Sequence, residues 1–340
     1  MCGFAGFVGE VENREQVLEN MIDTIIHRGP DSSGKFVDED AALGFRRLSI
    51  IDLSESGDQP LYNEDRSKVL VFNGEIYNYQ ELREELIQAG HTFVSNTDSE
   101  TLIHGYEQWG EELVYRLRGM YAFAIWDQKA KRLFSARDIF GIKPLYYAQM
   151  NGTLMFGSEI KSFLEHPKFD KVFNEDALGN YLSFQFVPTN ETFFKGVFCV
   201  QPGHYFVYEN GKMTIKRYFE PNFTGDTTKS FEEVVDDIEK VMKESVEMHK
   251  ISDVEVASYL SSGVDSSYLT YLGQVDRTFT VGFDEGKYSE IQDAKEFAAS
   301  INMKMMQKSS LHRNTGTICP ISSIIWMNRW QILRRSHFIF

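Results

Sequence analysis

The sequence predicts two domains of different class. Residues 1–219 read as an α+β layered domain, and 220–308 as the start of an α/β domain with a parallel sheet. Three observations carry this. The first half has many short apolar strands, few helical segments and no regular strand–helix–strand order, which favours antiparallel layers. The second half alternates helix and strand, the order that builds a parallel sheet. Between them, 219–230 (FEPNFTGDTTKS) loses periodicity and reads as a linker.

Residues 3–8 (GFAGFV) form a glycine-rich apolar strand. Over 15–26, Val17, Leu18, Met21, Ile22, Ile25 and Ile26 recur at helical spacing. Strands are expected at 41–51 and 68–73. A helix over 79–89 places Leu82, Leu86 and Ile87 on one face, and another helix spans 98–109. Strands return at 120–127, 132–136, 144–149 and 153–157, the last two turning at Asn151-Gly152. A second hairpin over 203–218 turns at Asn210-Gly211. Past the linker, Ser230 and Glu233 form a capping box that opens a helix over 231–249. Then come an apolar strand 254–260, a Ser/Gly turn, a helix start at 265–272, a strand 278–283 and a helix 288–300. The strand that should follow this helix is not evident.

Of 340 residues, 42% are hydrophobic, enough for buried cores. The net charge of -15 argues against a general nucleic-acid binder, which needs a basic face. It leaves room for a nucleotide held by loop amides. The 3 cysteines, Cys2, Cys199 and Cys319, are far apart. They predict neither a disulfide framework nor a zinc cluster, and they fit a reducing cytoplasm. No leader segment opens the sequence, and no run approaches the roughly 18 apolar residues of a membrane span. A cytoplasmic protein without membrane contact is therefore expected. The last acidic residue is Glu296, although the chain holds 50 acids, and two of the 4 tryptophans, Trp326 and Trp330, follow it.

Cys2-Gly3 raises the first chemical possibility. Removal of Met1 would place an α-amine and a thiol on one residue. That amine, with a pKa of about 8, can serve as general base beside a sulfur nucleophile, through water. Alone, a cysteine at position 2 is usually just a cysteine. Four further segments bear on it: His27-Arg28-Gly29-Pro30-Asp31, Arg46 to Asp52 (RRLSIID), Asn73 to Asn78 (NGEIYN) and Thr97-Asp98-Ser99-Glu100-Thr101. Glutamine would need a cation for its α-carboxylate, an anion for its ammonium and an oxyanion hole for its amide. Arg47 offers the fork for the carboxylate. Asp98, together with Glu75, offers negative charge. The Asn73 amide and the Gly74 N–H are suitable oxyanion donors. Each has a plainer alternative: Arg47 capping a sheet edge or paired with Asp52, Asn73-Gly74 as a turn, Asp98 as a helix N-cap.

MCGFAGFVG, HRGPDSSG, RRLSIID, QPLYN, FNGEIYN, NTDSET, GMYAFAIWD and ARDIFGIKPLYY together resemble a class II glutamine amidotransferase of the asparagine synthetase type. The resemblance runs from residue 2 to about 205. It implies an N-terminal-nucleophile hydrolase fold, an αββα sandwich, releasing glutamate and ammonia. It implies Cys2 as nucleophile, with Asn73 and Gly74 completing the catalytic set. Glutamine would be held by Arg47, Leu48, Ser49, Ile50, Ile51, Asn73, Gly74, Glu75 and Asp98.

In the second half, Leu260 to Ser267 (LSSGVDSS) lies between a strand and a helix start, where amides and hydroxyls converge on anions. The alternative is a serine-rich turn with Asp265 as cap. The segment resembles the pyrophosphate loop of ATP pyrophosphatases, with Ser262 in place of a glycine. A serine fits there only if the position does not need positive φ. The resemblance implies ATP bound by Leu260, Ser261, Ser262, Gly263, Val264, Asp265, Ser266 and Val281, with Asp265 on Mg²⁺. ATP and Mg²⁺ would be co-substrates, without a prosthetic group. Aspartate would be adenylated and then attacked by ammonia. The partners would be glutamine, aspartate and ATP, not nucleic acid, and a homodimer is left open. The family's second loop, Ser-Gly-Glu-Gly-Ala-Asp-Glu, is missing, and 309–340 is expected to be foreign to the fold. The synthetase half is therefore expected to be incomplete and inactive, with a stand-alone glutaminase or a non-functional remnant as the alternative.

Overall fold

A computed structural model describes residues 1–225, 228–283 and 289–310. The segment 311–340, with Cys319, Trp326 and Trp330, lies outside the described residues. The chain divides into two compact units between Pro221 and Asn222.

The first unit runs β1 (Gly3–Val8), α1 (Arg14–Asp23), β2 (Ser32–Val37), β3 (Ala41–Arg47), β4 (Leu61–Tyr62), β5 (Lys68–Ile76), α2 (Tyr79–Gln88) and α3 (Glu100–Trp109). It continues with β6 (Gly119–Asp127), β7 (Arg132–Arg137), β8 (Tyr146–Met150), β9 (Thr153–Gly157), α4 (Glu175–Phe184), β10 (Val197–Cys199), β11 (His204–Glu209) and β12 (Lys212–Arg217). Its strands form two antiparallel sheets, ordered β10-β8-β9-β1-β3-β2 and β12-β11-β7-β6-β5-β4.

Strand alternation explains the layering. On β1, Phe4 and Val8 point into the core between the sheets, with Leu43, Val71, Ala124 and Trp126. Ala5 and Phe7 point the other way and pack under Leu18, Met21 and Ile22 of α1. On the far sheet, Phe72, Phe123 and Phe134 pack under Leu82 of α2 and Leu102, Ile103 and Tyr106 of α3. The result is the expected αββα sandwich. Both expected hairpin turns form: Asn151 and Asn210 have φ of 50° and 51°, each followed by a glycine at 75°.

Some elements differ from expectation. The strand expected over 41–51 stops at Arg47, and 48–51 leave the ladder. Edge strand β2, helix α4 and short β10 were not anticipated. β2 is only half-buried, and α4 exposes Leu182 and Phe184, so neither has a sharp apolar period.

The second unit contains α5 (Phe231–Met248), β13 (Ser258–Tyr259), α6 (Val264–Gly273), β14 (Arg277–Phe283), α7 (Ile291–Ser300) and β15 (Lys304–Ser310). The capping box of α5 forms in both directions: the Glu233 N–H donates to Ser230 Oγ at 3.2 Å and the Ser230 N–H to Glu233 Oε2 at 2.8 Å. β13, β14 and β15 make a parallel sheet. The strand missing from the sequence reading is present as β15, paired with β14 from Arg277↔Lys304 to Phe283↔Ser310. KMMQKSS has no β-branched residue, so propensity gave no sign of it, and the backbone ladder forms it regardless. The strand expected over 254–260 shrinks to Ser258–Tyr259, and Val254 is exposed. Among the described residues no helix is long and apolar enough to cross a membrane.

Candidate active site

Strand register assembles the site. Gly3 pairs with Arg46, so Cys2 arrives beside the end of β3, where the chain leaves the sheet. The Leu48 N–H donates to Cys2 Sγ at 3.3 Å, and the thiol donates back to the Leu48 carbonyl at 3.4 Å. Burial pushes the Cys2 thiol above its ordinary pKa, while the Leu48 N–H and the nearby cations Lys143 and Arg28 pull against it. Behind Cys2, Arg28 Nε donates to the Cys2 carbonyl at 2.8 Å, and Arg28 Nη1 to Glu159 Oε1 at 2.9 Å.

A cavity of about 300 Å³ opens at the thiol. Cys2, Arg47, Leu48, Ile50, Ile51, Asn73, Gly74, Glu75 and Asp98 all line it. Of the glutamine-binding residues expected from the sequence, Ser49 alone does not line it, and its N–H donates to Asp31 Oδ2 at 2.9 Å. Gln59, Phe72, Thr97, Met120, Ile142 and Lys143 also face the cavity and were not singled out. Gln59 and Lys143 lie within QPLYN and ARDIFGIKPLYY, so the motifs held them without suggesting a role.

Arg47 is buried, and its guanidinium is fixed from behind. Nη1 donates to the Ser54 carbonyl and to Asp58 Oδ1, both at 2.8 Å, and Nη2 to the Asp52 carbonyl. The partner carboxylate is thus Asp58, whereas Asp52 contributes its backbone. Residue 57 must be glycine for this, because a Cβ there would lie 2.3 Å from Arg47 Nη2.

Asn73 is 1% exposed, and its Nδ2 has no hydrogen-bond partner. A buried donor left unpaired is costly, and this one borders the cavity that holds the thiol. Next to it, Gly74 packs so tightly on β6 that a Cβ would lie 2.2 Å from the Met120 carbonyl. Only bare backbone can line the cavity there.

Asp98 precedes α3 but does not cap it. Its Oδ2 instead accepts the Ile76 N–H at 2.8 Å, tying the helix start to β5. Burial, reinforced by the charge of Glu75, pushes its carboxyl up to about 7, against the N–H groups of Ile76 and Ser99.

In the second unit, the loop after β13 is folded on its own hydroxyls. Ser261 Oγ and Ser266 Oγ are 2.7 Å apart, and the Gly263 N–H donates to Ser261 Oγ at 3.2 Å. Gly263 caps α6 with φ -75°, and Ser262 is not among the positive-φ residues, so a serine fits without strain. Leu260 is buried beneath the loop, and its carbonyl accepts from Thr280 Oγ1 at 2.8 Å, beside Val281. Ser262, Gly263, Val264 and Asp265 are exposed at the helix start.

Comparison with known proteins finds two families. The glutamine amidotransferase domain family matches residues 1–219, and the asparagine synthase family matches 237–327. Asparagine synthetase [glutamine-hydrolyzing] 1 of Bacillus subtilis is 42% identical over 318 residues, covering 91% of this chain and 50% of the relative. A putative asparagine synthetase [glutamine-hydrolyzing] of Mycobacterium tuberculosis is 38% identical, over 91% of this chain and 52% of the relative. The chain thus spans about half the length of the curated relatives it matches. Among solved structures, glutamine phosphoribosylpyrophosphate amidotransferase from B. subtilis aligns with a TM-score of 0.49 at 18% identity, covering 90% of this chain and 65% of that one.

Proposed function

The chain belongs to the glutamine amidotransferase domain family, and on that premise we propose that residues 1–219 hydrolyse glutamine to glutamate and ammonia. The observation that carries this reading is the pairing of a thiol, Cys2, with an unpartnered buried amide donor, Asn73 Nδ2, on one small cavity. Cys2 Sγ attacks the side-chain amide carbon. The resulting oxyanion is met by Asn73 Nδ2 and the Gly74 N–H, donors already in place and therefore needing no reorganisation. Ammonia leaves, and water releases glutamate from the thioester. Arg47 holds the α-carboxylate, and Asp98, with Glu75, holds the α-ammonium.

Met1 also lines the cavity, with its Sδ 3.6 Å from Lys143 Nζ. Its excision would vacate that space and leave the Cys2 amine beside its own thiol. Burial lowers the pKa of the Met1 amino group, one residue before Cys2, the direction a general base in this cavity requires. The free thiols of Cys2 and Cys199 fit reducing, cytoplasmic surroundings.

Two expected results test the site. Asn73→Ala should lower kcat about 10²–10³-fold, the usual loss of one oxyanion donor. A change confined to KM would make Asn73 a binding residue only. Asp98 should govern the acid limb of the pH profile. Its carboxyl ionises near 7 in the empty cavity, and only the carboxylate can hold an ammonium. The value of kcat/KM should therefore drop about tenfold per pH unit below that point, and Asp98→Asn should remove the Asp98 part of this limb, leaving the fall set by protonation of the Cys2 amine. An unchanged limb in the variant would transfer the titration to another group.

For the second unit we infer the ATP-binding part of an aspartate-activating domain, which these residues alone do not complete. The amides of Ser262 and Gly263 lie ahead of α6, where a pyrophosphate would take them over from Glu290 Oε2 and Ser261 Oγ, their present acceptors. Asp265, exposed on the first turn, could supply the single carboxylate that a phosphate-bound Mg²⁺ needs. The match of the asparagine synthase family to this unit supports the same reading.

A further inference from the structure

Away from the glutamine cavity, the connection β4–β5, the segment after α2 and helix α3 converge on four side chains. We propose that Glu64, His91, His104 and Glu107 form a tetrahedral site for a divalent transition-metal ion, best matched by Zn²⁺. One ligand atom from each lies within 4.8 Å of all the others.

Four of the six separations lie near those of atoms sharing a centre, with Glu64 turning a different oxygen to each histidine. His104 Nδ1 lies 3.5 Å from Glu64 Oε2 and 3.6 Å from Glu107 Oε2. His91 Nδ1 lies 3.4 Å from Glu64 Oε1 and 3.8 Å from Glu107 Oε2. Bonds of about 2.0–2.2 Å to zinc give tetrahedral edges of about 3.3–3.6 Å. The same spacings are long for hydrogen bonds. His104 is 1% exposed, and neither its Nδ1 nor Glu107 Oε2 has a hydrogen-bond partner. Two buried polar atoms thus face one another at ion-pair distance, 3.6 Å, and neither is hydrogen-bonded.

The outer contacts fit a metal site as well. His104 Nε2 lies 3.4 Å from Glu100 Oε1, and His91 Nε2 lies 3.3 Å from Gln108 Oε1. With the ring proton on Nε2 in each case, both Nδ1 lone pairs face the centre. Glu107 Oε1 accepts from Asn63 Nδ2 at 2.7 Å, and Glu64 Oε1 from the Thr92 N–H at 3.0 Å, so both carboxylates are oriented. Two carboxylates and two neutral imidazoles carry two negative charges, which a divalent ion neutralises. An N₂O₂ set favours Zn²⁺ over Ca²⁺ or Mg²⁺, which take oxygen ligands in larger number. Four protein ligands describe a closed, structural site.

Such an ion would brace the cavity wall. His104 and Glu107 lie one turn apart on α3, whose preceding residues Thr97, Asp98 and Ser99 line the cavity. Glu100, behind His104, also accepts the N–H groups of Val94 and Ser95, each at 2.7 Å.

Elemental analysis of the chain purified without added metal should find about one zinc per molecule. After chelation, Zn²⁺ should bind again and raise the thermal midpoint, and Co²⁺ should give the visible absorption of a tetrahedral centre. The double variant Glu64→Ala with His91→Ala removes the two ligands that lie outside α3 and should fold. It should weaken Zn²⁺ binding beyond the about 10–100-fold that losing an outer-shell partner brings. Chelated wild type that takes up neither ion, or a double variant that retains stoichiometric zinc, would overturn the site.

Discussion

Cys2→Ala should reduce glutamine turnover to the detection limit, a loss on the order of 10⁶ in kcat, as when a hydrolase loses its nucleophile. Nothing else in the cavity can replace the sulfur. The other free cysteine among the described residues, Cys199, accepts from Arg137 Nη1 at 3.0 Å and does not line the cavity. The fold should tolerate the change, because Cys2 is only partly buried, at the margin of the core between the sheets, and its thiol hydrogen-bonds only the Leu48 backbone. A thermal midpoint within about 4 °C of the parent is expected, corresponding to about 1 kcal/mol. Glutamate release measured beside a Cys199→Ala control decides the matter: parental turnover in Cys2→Ala would remove the nucleophile from the mechanism.

Glu159→Ala should give the largest loss of stability. Its carboxylate is surrounded by three groups: Arg28 Nη1 at 2.9 Å, His27 Nε2 at 3.0 Å and Lys161 Nζ at 2.9 Å. Burial alone would raise the carboxyl, but His27, Arg28 and Lys161 outweigh it and hold it near 2. Removing the anion leaves Arg28 and Lys161 buried without their counter-charge, which costs about 3–5 kcal/mol. At about 2–4 °C per kcal/mol, the midpoint should fall by about 10 °C. The pH dependence has a definite sign. A depressed folded-state pKa stabilises above the unfolded value of about 4.3. That contribution disappears as pH falls from there toward 2. Melting curves across this range should converge for parent and variant at the acid end. Turnover should suffer too, since Arg28 positions the Cys2 carbonyl. A variant melting within 2 °C of the parent would show the cluster to be energetically neutral.

Most of the sandwich could be read from local pattern. Asn151-Gly152 and Asn210-Gly211 announced their hairpins through backbone chemistry, and Ser230 with Glu233 announced α5 through reciprocal capping. The apolar stripe of α1 did the same through Leu18, Met21 and Ile22. β15 was not readable, because its register comes from β14 and its own side chains carry no strand preference. Within the cavity, the motifs located Cys2, Arg47, Asn73, Gly74 and Asp98. What they could not convey was support from distant segments: Asp58 behind Arg47, Ile76 behind Asp98, Glu159 behind Arg28. The His91, His104, Glu64 and Glu107 cluster is the extreme case. His104 and Glu107 share a helix face, but the other two arrive from separate loops, so no spacing in the sequence advertises them.

Strand β1 is paired on both edges, to β3 and to β9, and every one of its residues is buried. Cys2 directly precedes it and inherits that immobility. Chain ends ordinarily fray, and ordering one residue costs about 1–2 kcal/mol of backbone entropy. Here that cost is met once, when the sandwich folds, and not again at each encounter with a substrate. The sulfur therefore waits at a fixed point relative to Asn73 and Gly74, and its reach toward an amide carbon is a matter of rotamer choice rather than of chain search.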